Sequence, residues 1–124
     1  MSRSILDDAH IHPAIRETIA GSHADIVKEV QAAVDQNDIV IVGMGQNPFP
    51  KKARKLLEQK HLPYKYLEYG NYLGGWRRRN ALKMWTGWST FPMIFVKGAL
   101  VGGASELQKL IESGELARLL GAKA

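Results

Sequence analysis

The chain has no cysteine among its 124 residues. It therefore supplies no disulfide, no thiolate ligand for a metal and no thiol nucleophile. Long apolar runs are also lacking, since none approaches the roughly 20 residues that span a bilayer. Acidic residues stand near the start, where a signal peptide would carry its apolar segment. We expect a cytoplasmic protein that does not enter the membrane and does no chemistry with its own thiols.

The composition is that of an ordinary folded domain, with 45% hydrophobic and 23% charged residues. A chain of this length fits one hydrophobic core. We predict an N-terminal arm over residues 1–22 and a single domain over 23–124. Seventeen basic against twelve acidic residues give a formal net charge of +5, which favours anionic partners without identifying them.

The first half of the domain has the pattern of a strand, a crossover helix and a parallel strand. Apolar residues at helical spacing predict a helix over 24–35. The continuous β-branched run "IVIVGM" predicts a strand buried on both faces. A glycine loop follows, and then a helix that begins near Pro48 and ends before Pro63. "YKYLEY" alternates as a second strand.

The second half has the pattern of a helix, a hairpin and a final helix. A basic helix is predicted from about Leu73 to Trp85, and Lys97-Gly98 is a tight turn between two short strands. The last helix is predicted to be capped by Ser105 and interrupted near Gly114. This order matches a thioredoxin-like α/β fold, with a four-stranded mixed sheet flanked by helices and an N-terminal helical extension.

Three stretches resemble the glutaredoxin family, and its monothiol members in particular. "NPFPKKARKLL" resembles the Cys-Pro-Tyr-Cys stretch and the basic helix after it. "GWSTFPMIFVKG" resembles the strand entry of the monothiol members, and "LVGGASEL" resembles their Gly-Gly-Cys-Asp turn. The resemblance covers about residues 24 to 120. It implies a member of the family whose active-site cysteine has been replaced.

The resemblance places Asn47 at the nucleophilic cysteine and Pro50 at the second cysteine position. Neither residue is a redox centre, because the family's chemistry needs a thiolate at a helix N-terminus. The N–H groups of a helix that begins at Pro48 still suit an anion or a polar acceptor. Asn47 is either a helix cap or a contact to a ligand, and both roles stay open at this point.

The resemblance also implies a glutathione groove, with Pro92 in a cis bond and the backbone before it pairing with the tripeptide. The turn into the last helix would receive the γ-glutamyl carboxylate, and Arg79 would receive the glycyl carboxylate. Two departures are Met44 for the family lysine and Ser105 for the family aspartate. The groove residues carried over are Asn47, Phe49, Arg79, Thr90, Phe91, Pro92, Gly103, Ala104 and Ser105.

Cofactors are constrained by the same replacement. The iron–sulfur cluster of monothiol glutaredoxins needs a cysteine thiolate, so no cluster is expected with Asn47 at that position. The four histidines include no helical i, i+4 ligand pair, and no metal site is predicted. Glutathione is a candidate ligand, and no cofactor is certain.

The stretch "WRRRNALKMWTGW" combines cations with tryptophans. It forms either a solvated basic face over a tryptophan-bearing core or a surface for an anion or a protein partner. Nucleic-acid binding would use such ingredients, but the acidic residues elsewhere dilute the field and argue against it. The N-terminal arm could pack on the sheet or pair two subunits.

Three hypotheses for function follow. In the first, the chain is not an enzyme but a redox-inactive binding module that uses the former glutathione groove for a protein partner or a small thiol or anion. In the second, a bound thiol such as glutathione supplies the sulfur for thiol–disulfide or transfer chemistry, and Asn47 donates a hydrogen bond. In the third, the chain is a structural homodimer or scaffold with a vestigial groove.

Overall fold

The computed structural model describes residues 4, 6–21, 24–45, 47–70 and 76–121. This part of the chain begins with a short 3-10 turn at Asp8–His10. The helices are α1 (Pro13–Gly21), α2 (Ala24–Gln36), α3 (Pro48–Gln59), α4 (Trp76–Thr86), α5 (Ala104–Glu112) and α6 (Glu115–Leu119); the strands are β1 (Ile39–Gly43), β2 (Lys65–Glu68), β3 (Met93–Val96) and β4 (Ala99–Gly102). None of these helices is long and apolar enough to cross a membrane.

The four strands form one mixed sheet in the order β2-β1-β3-β4. β1 pairs with β2 in parallel across the α3 crossover, whereas β1–β3 and β3–β4 are antiparallel. The β3–β4 turn has positive φ at both Lys97 and Gly98 (51° and 84°), as a two-residue hairpin turn requires. The predicted thioredoxin-like fold and its mixed sheet are confirmed.

Strand β1 lies at the centre of the core, and all five of its residues are buried. Successive side chains of a strand point to opposite faces. Val40 and Val42 therefore pack with the residues of α2 and α4, while Ile39 and Ile41 pack with those of α3, α5 and α6. One continuous β-branched run thus contributes to both apolar layers, which is why the sequence shows no alternation here.

Most predicted elements lie within two residues of the observed ones, and two need comment. Ser105 is not the cap of the last helix. α5 begins two residues earlier than that cap implies, at Ala104, with Gly103 as its N-cap. The Glu106 carboxylate accepts a hydrogen bond from the Gly103 N–H at 2.9 Å, so the cap is supplied from within the first turn.

The predicted start of α4 at Leu73 and the arm boundary at residues 22 and 23 lie outside the described residues.

Gly43, at the end of β1, lies against the first turn of α3. A Cβ at this position would lie 2.8 Å from both Cβ and Cγ of Pro50 and 3.0 Å from Cε1 of Tyr66. Pro50 is itself buried. The close approach of strand and helix therefore requires a residue without a side chain at position 43.

We expect Gly43→Ala to lower the free energy of unfolding by about 1–3 kcal/mol, because the new methyl group overpacks this contact. Urea denaturation measures the change as a lower midpoint at constant slope. Gly98→Asn is the matched control, since nothing lies within 4 Å of a Cβ there and asparagine tolerates positive φ. Equal stability losses in the two variants would contradict this account of Gly43.

Candidate functional site

Three chain segments meet at one edge of the sheet. β1 ends there at Gly43, and its antiparallel neighbour β3 begins there, because Val42 pairs with Met93. β4 ends at the same edge, because Gly102 pairs with Ile94. The sheet topology therefore brings together the start of α3, the turn before β3 and the start of α5.

These segments enclose a groove of about 400 Å³. Its lining comprises Met44, Asn47, Phe49, Lys83, Ser89, Thr90, Phe91, Pro92, Gly103, Ala104, Ser105 and Glu106. The predicted groove positions lie in this lining, with the exception of Arg79. Lys83, Ser89 and Glu106 were not predicted.

Asn47 connects two of the three segments through its side-chain amide. Its backbone is extended (φ −97°, ψ 124°), and its Oδ1 accepts a hydrogen bond from the Phe49 N–H at 3.0 Å. This is the geometry of a helix N-cap. Its Nδ2 donates to the carbonyl oxygen of Phe91 at 3.3 Å. Asn47 is therefore the cap of α3 and also holds the turn that leads into β3.

The turn before β3 contains a cis peptide bond between Phe91 and Pro92, as predicted. Both residues are buried. The Lys83 ammonium lies 5.8 Å from the centre of the Phe91 ring, a distance at which a cation is attracted to an aromatic face. The Phe91 carbonyl thus contacts the Asn47 amide, and the Phe91 ring contacts the Lys83 ammonium.

The third segment is a tight glycine turn into α5. Gly102 has φ +115°, and a Cβ there would lie 2.7 Å from Cγ of Glu106. Glycine is thus required on both conformational and steric grounds. Ala104 is buried and Ser105 is exposed. The first N–H groups of a helix have no acceptor within it, so the start of α5 favours negative charge at this groove.

The start of α3 offers fewer donors than the sequence predicts. Pro48 and Pro50 have no N–H, and the Phe49 N–H is bonded to the Asn47 side chain.

Arg79 is placed differently from its predicted role. It is only 8% exposed, and its guanidinium donates to the Tyr69 carbonyl at 3.2 Å. The hydroxyl of Tyr69 donates in turn to Glu29 of α2, and burial, followed by this hydrogen bond, raises the pKa of Tyr69. Arg79 thus joins α4 to the segment after β2. Its contact to a ligand carboxylate stays a prediction.

Lys83 is the cation that does line the groove, one helical turn after Arg79. The helical phase of α4 explains the difference. Arg79 and Leu82 are its buried residues, and Lys83 follows on a partly exposed flank. Arg79 lies three residues before the apolar Leu82 and therefore on the same face of the helix. This spacing was the sequence signal that could have shown that Arg79, and not Lys83, packs inward.

Pro50, at the second cysteine position of the family pattern, belongs to the core and is not part of the groove lining. Within the described part of the chain, no group of three His, Cys, Asp or Glu residues could hold a metal ion. The groove therefore presents the N-terminus of α5, a cation and apolar walls. Groups of these kinds suit a small polar ligand.

Comparison with known proteins agrees with this architecture. The family model described as Glutaredoxin matches residues 39–101. A glutaredoxin-like protein of Dictyostelium discoideum is 39% identical over 102 residues, which cover 82% of this chain and 83% of that one. Glutaredoxin-C4 of Arabidopsis thaliana is 32% identical, over 86% of this chain and 77% of its own. The solved buckwheat glutaredoxin–glutathione complex has 25% identity and a TM-score of 0.72, over 84% of this chain and 97% of its own.

We expect Asn47→Ala to lower the free energy of unfolding by about 1 kcal/mol, because α3 loses its cap. Asn47→Asp should restore the cap, since a carboxylate accepts the Phe49 N–H and is favoured at a helix start. It cannot donate to the Phe91 carbonyl. Urea denaturation measures stability, and NMR of the Phe91 and Met93 amides reports on the turn.

The two interactions of Asn47 predict different outcomes for these variants. Asn47→Asp should recover part of the stability of α3, because its second carboxylate oxygen faces the Phe91 carbonyl, and it should show the same perturbed amide signals around Pro92 as Asn47→Ala. If Asn47→Ala is as stable as the unchanged chain, Asn47 does not act as a cap. If neither perturbs the turn, the bond to Phe91 does not hold it.

Proposed function

The chain belongs to the glutaredoxin family, and from that premise we propose that it is a binding module without a redox centre, whose groove holds glutathione or a similar small peptide. The observation that carries the proposal is the convergence of the start of α5, Lys83 and Phe91 on one groove. The absence of cysteine from the chain supports the redox-inactive part, because thiol–disulfide exchange requires a thiolate.

The chemistry of the groove suits a peptide that carries two carboxylates. One carboxylate would bind at the start of α5, near the N–H groups of Ala104 and Ser105, and the other would pair with Lys83. The Phe91 backbone would pair with a peptide unit of the ligand. The Glu106 carboxylate lies in the lining and offers a partner for an ammonium group. The buckwheat relative with a similar fold has been solved as a glutathione complex.

The hydrogen bonds of Asn47 favour binding over the alternative of transfer chemistry by a bound thiol. Its Oδ1 is used by the α3 cap and its Nδ2 donates to Phe91. An amide held in this way supports the groove rather than a reacting sulfur. Transfer chemistry would show itself as thiol-dependent turnover, and a scaffold with a vestigial groove would bind no small thiol.

Asn47→Cys tests the proposal by converting binding into a covalent readout. A cysteine at the start of α3 has its thiol pKa lowered by the helix N-terminus. Its thiolate attacks one sulfur of oxidised glutathione, forms a mixed disulfide and releases the other half as a thiolate. We expect this rate to saturate with oxidised glutathione and to exceed that of Ser113→Cys by about tenfold or more. Intact-protein mass spectrometry follows both reactions.

Ser113→Cys is the matched control because Ser113 is exposed at the C-terminus of α5, away from the groove lining. In the Asn47→Cys background, Lys83→Gln should raise the half-saturating concentration about fivefold through loss of one ion pair. Lys109→Gln, also on α5 and exposed, should leave it unchanged. A rate that is linear in oxidised glutathione, and equal for the two cysteine variants, would contradict a binding groove.

A further inference from the structure

The outward side of α3 carries three cations that are not used by the groove. Lys51, Lys52 and Lys55 are exposed and lie within two turns of one another. None of these three lysines forms an ion pair with another described residue. The ion pairs among the described residues involve Arg78, Lys97 and Arg118 instead. We call these three residues the lysine face.

The charge of the lysine face is not balanced along its own helix. The first turn of α3 has no acidic residue, although acids are favoured there and cations are not. The acid that follows, Glu58, accepts a hydrogen bond from the Tyr64 hydroxyl at 2.6 Å. Three neighbouring ammonium groups without carboxylate partners repel one another, and an acidic partner would relieve this repulsion.

A pocket of about 380 Å³ lies within the lysine face. Pro48 and Leu56 contribute apolar surface to it, the three lysines form its walls, and Gln59 lies in its lining as well. The aliphatic surface of Pro48 and Leu56, together with the three lysines, matches a ligand that carries both an apolar side chain and acidic groups. The pocket shares no lining residue with the groove, although Asn47 and Pro48 are neighbours in the chain.

We propose that the lysine face is a docking surface for an acidic segment of a protein partner, with one large apolar side chain of that segment packed on Leu56. A protein segment fits better than a nucleic acid for a physical reason. Bases are held by aromatic stacking and by arginine, and the lining of this pocket contains neither. The aliphatic surface of the lining instead suits an aliphatic or aromatic side chain flanked by Asp or Glu.

A fluorescent peptide rich in Asp and Glu with one central Leu provides the test. Its affinity for the full chain is measured by anisotropy at low and at physiological salt. We expect the triple variant Lys51→Gln, Lys52→Gln, Lys55→Gln to bind about tenfold more weakly, because each exposed ion pair contributes modestly. The control variant Lys28→Gln, Lys65→Gln, Lys109→Gln removes the same charge from exposed positions on other elements and should bind like the unchanged chain.

Two further comparisons separate this docking surface from general charge attraction. Replacing the central Leu of the peptide by Ser should weaken binding, and a single-stranded oligonucleotide of equal charge should bind more weakly than the peptide. Equal weakening in the two triple variants, no effect of the Leu, or tighter binding of the oligonucleotide would each overturn the proposal. The half-saturating concentration of oxidised glutathione for the Asn47→Cys chain should be unaffected by the lysine substitutions, although its reaction rate falls because neighbouring cations lower the thiol pKa. This proposal and the glutathione groove can therefore fail separately.

Discussion

The burial of β1 on both faces is the constraint on which the rest of the structure depends. Because Ile39 to Val42 are covered from both sides, helices must pack on each face of the sheet, and β2 and β3 must flank the strand. That arrangement brings the end of β1, the start of β3 and the end of β4 to the same edge. The groove is a consequence of this topology.

Replacement of a cysteine by Asn47 preserves the frame of a glutaredoxin while removing its nucleophile. The amide caps α3 and holds the carbonyl before Pro92, so a polar side chain that fits the local backbone performs both structural tasks. Gly43 also preserves this frame, because its lack of a side chain lets Pro50 of α3 lie close to β1. The start of α5, Lys83 and Phe91 therefore remain at one groove, and the function we propose is binding without redox chemistry.

Much of the fold could be predicted from local pattern, because its elements have strong physical signals. The β-branched run of β1, the prolines at the start of α3 and the turn at Lys97-Gly98 each allow few conformations. The groove could be predicted where it depends on backbone turns, such as those at Pro92 and Gly103. Prediction was weaker for α4 and α5. Whether Arg79 or Lys83 lines the groove depends on which face of α4 packs inward. The start of α5 is bonded by the Glu106 carboxylate rather than by the Ser105 hydroxyl, and residue spacing alone does not decide between the two.

The central claim, that this cysteine-free groove still binds a glutathione-like peptide, is tested most directly by NMR titration of the unchanged chain with reduced glutathione. The account predicts saturable shifts of the amides of residues 47, 49, 90–91 and 103–106, with the amides of α2 unchanged. Because no covalent bond and no substitution is involved, such shifts report the native groove itself. The absence of shifts at millimolar glutathione, or shifts spread evenly over the surface, would contradict the account.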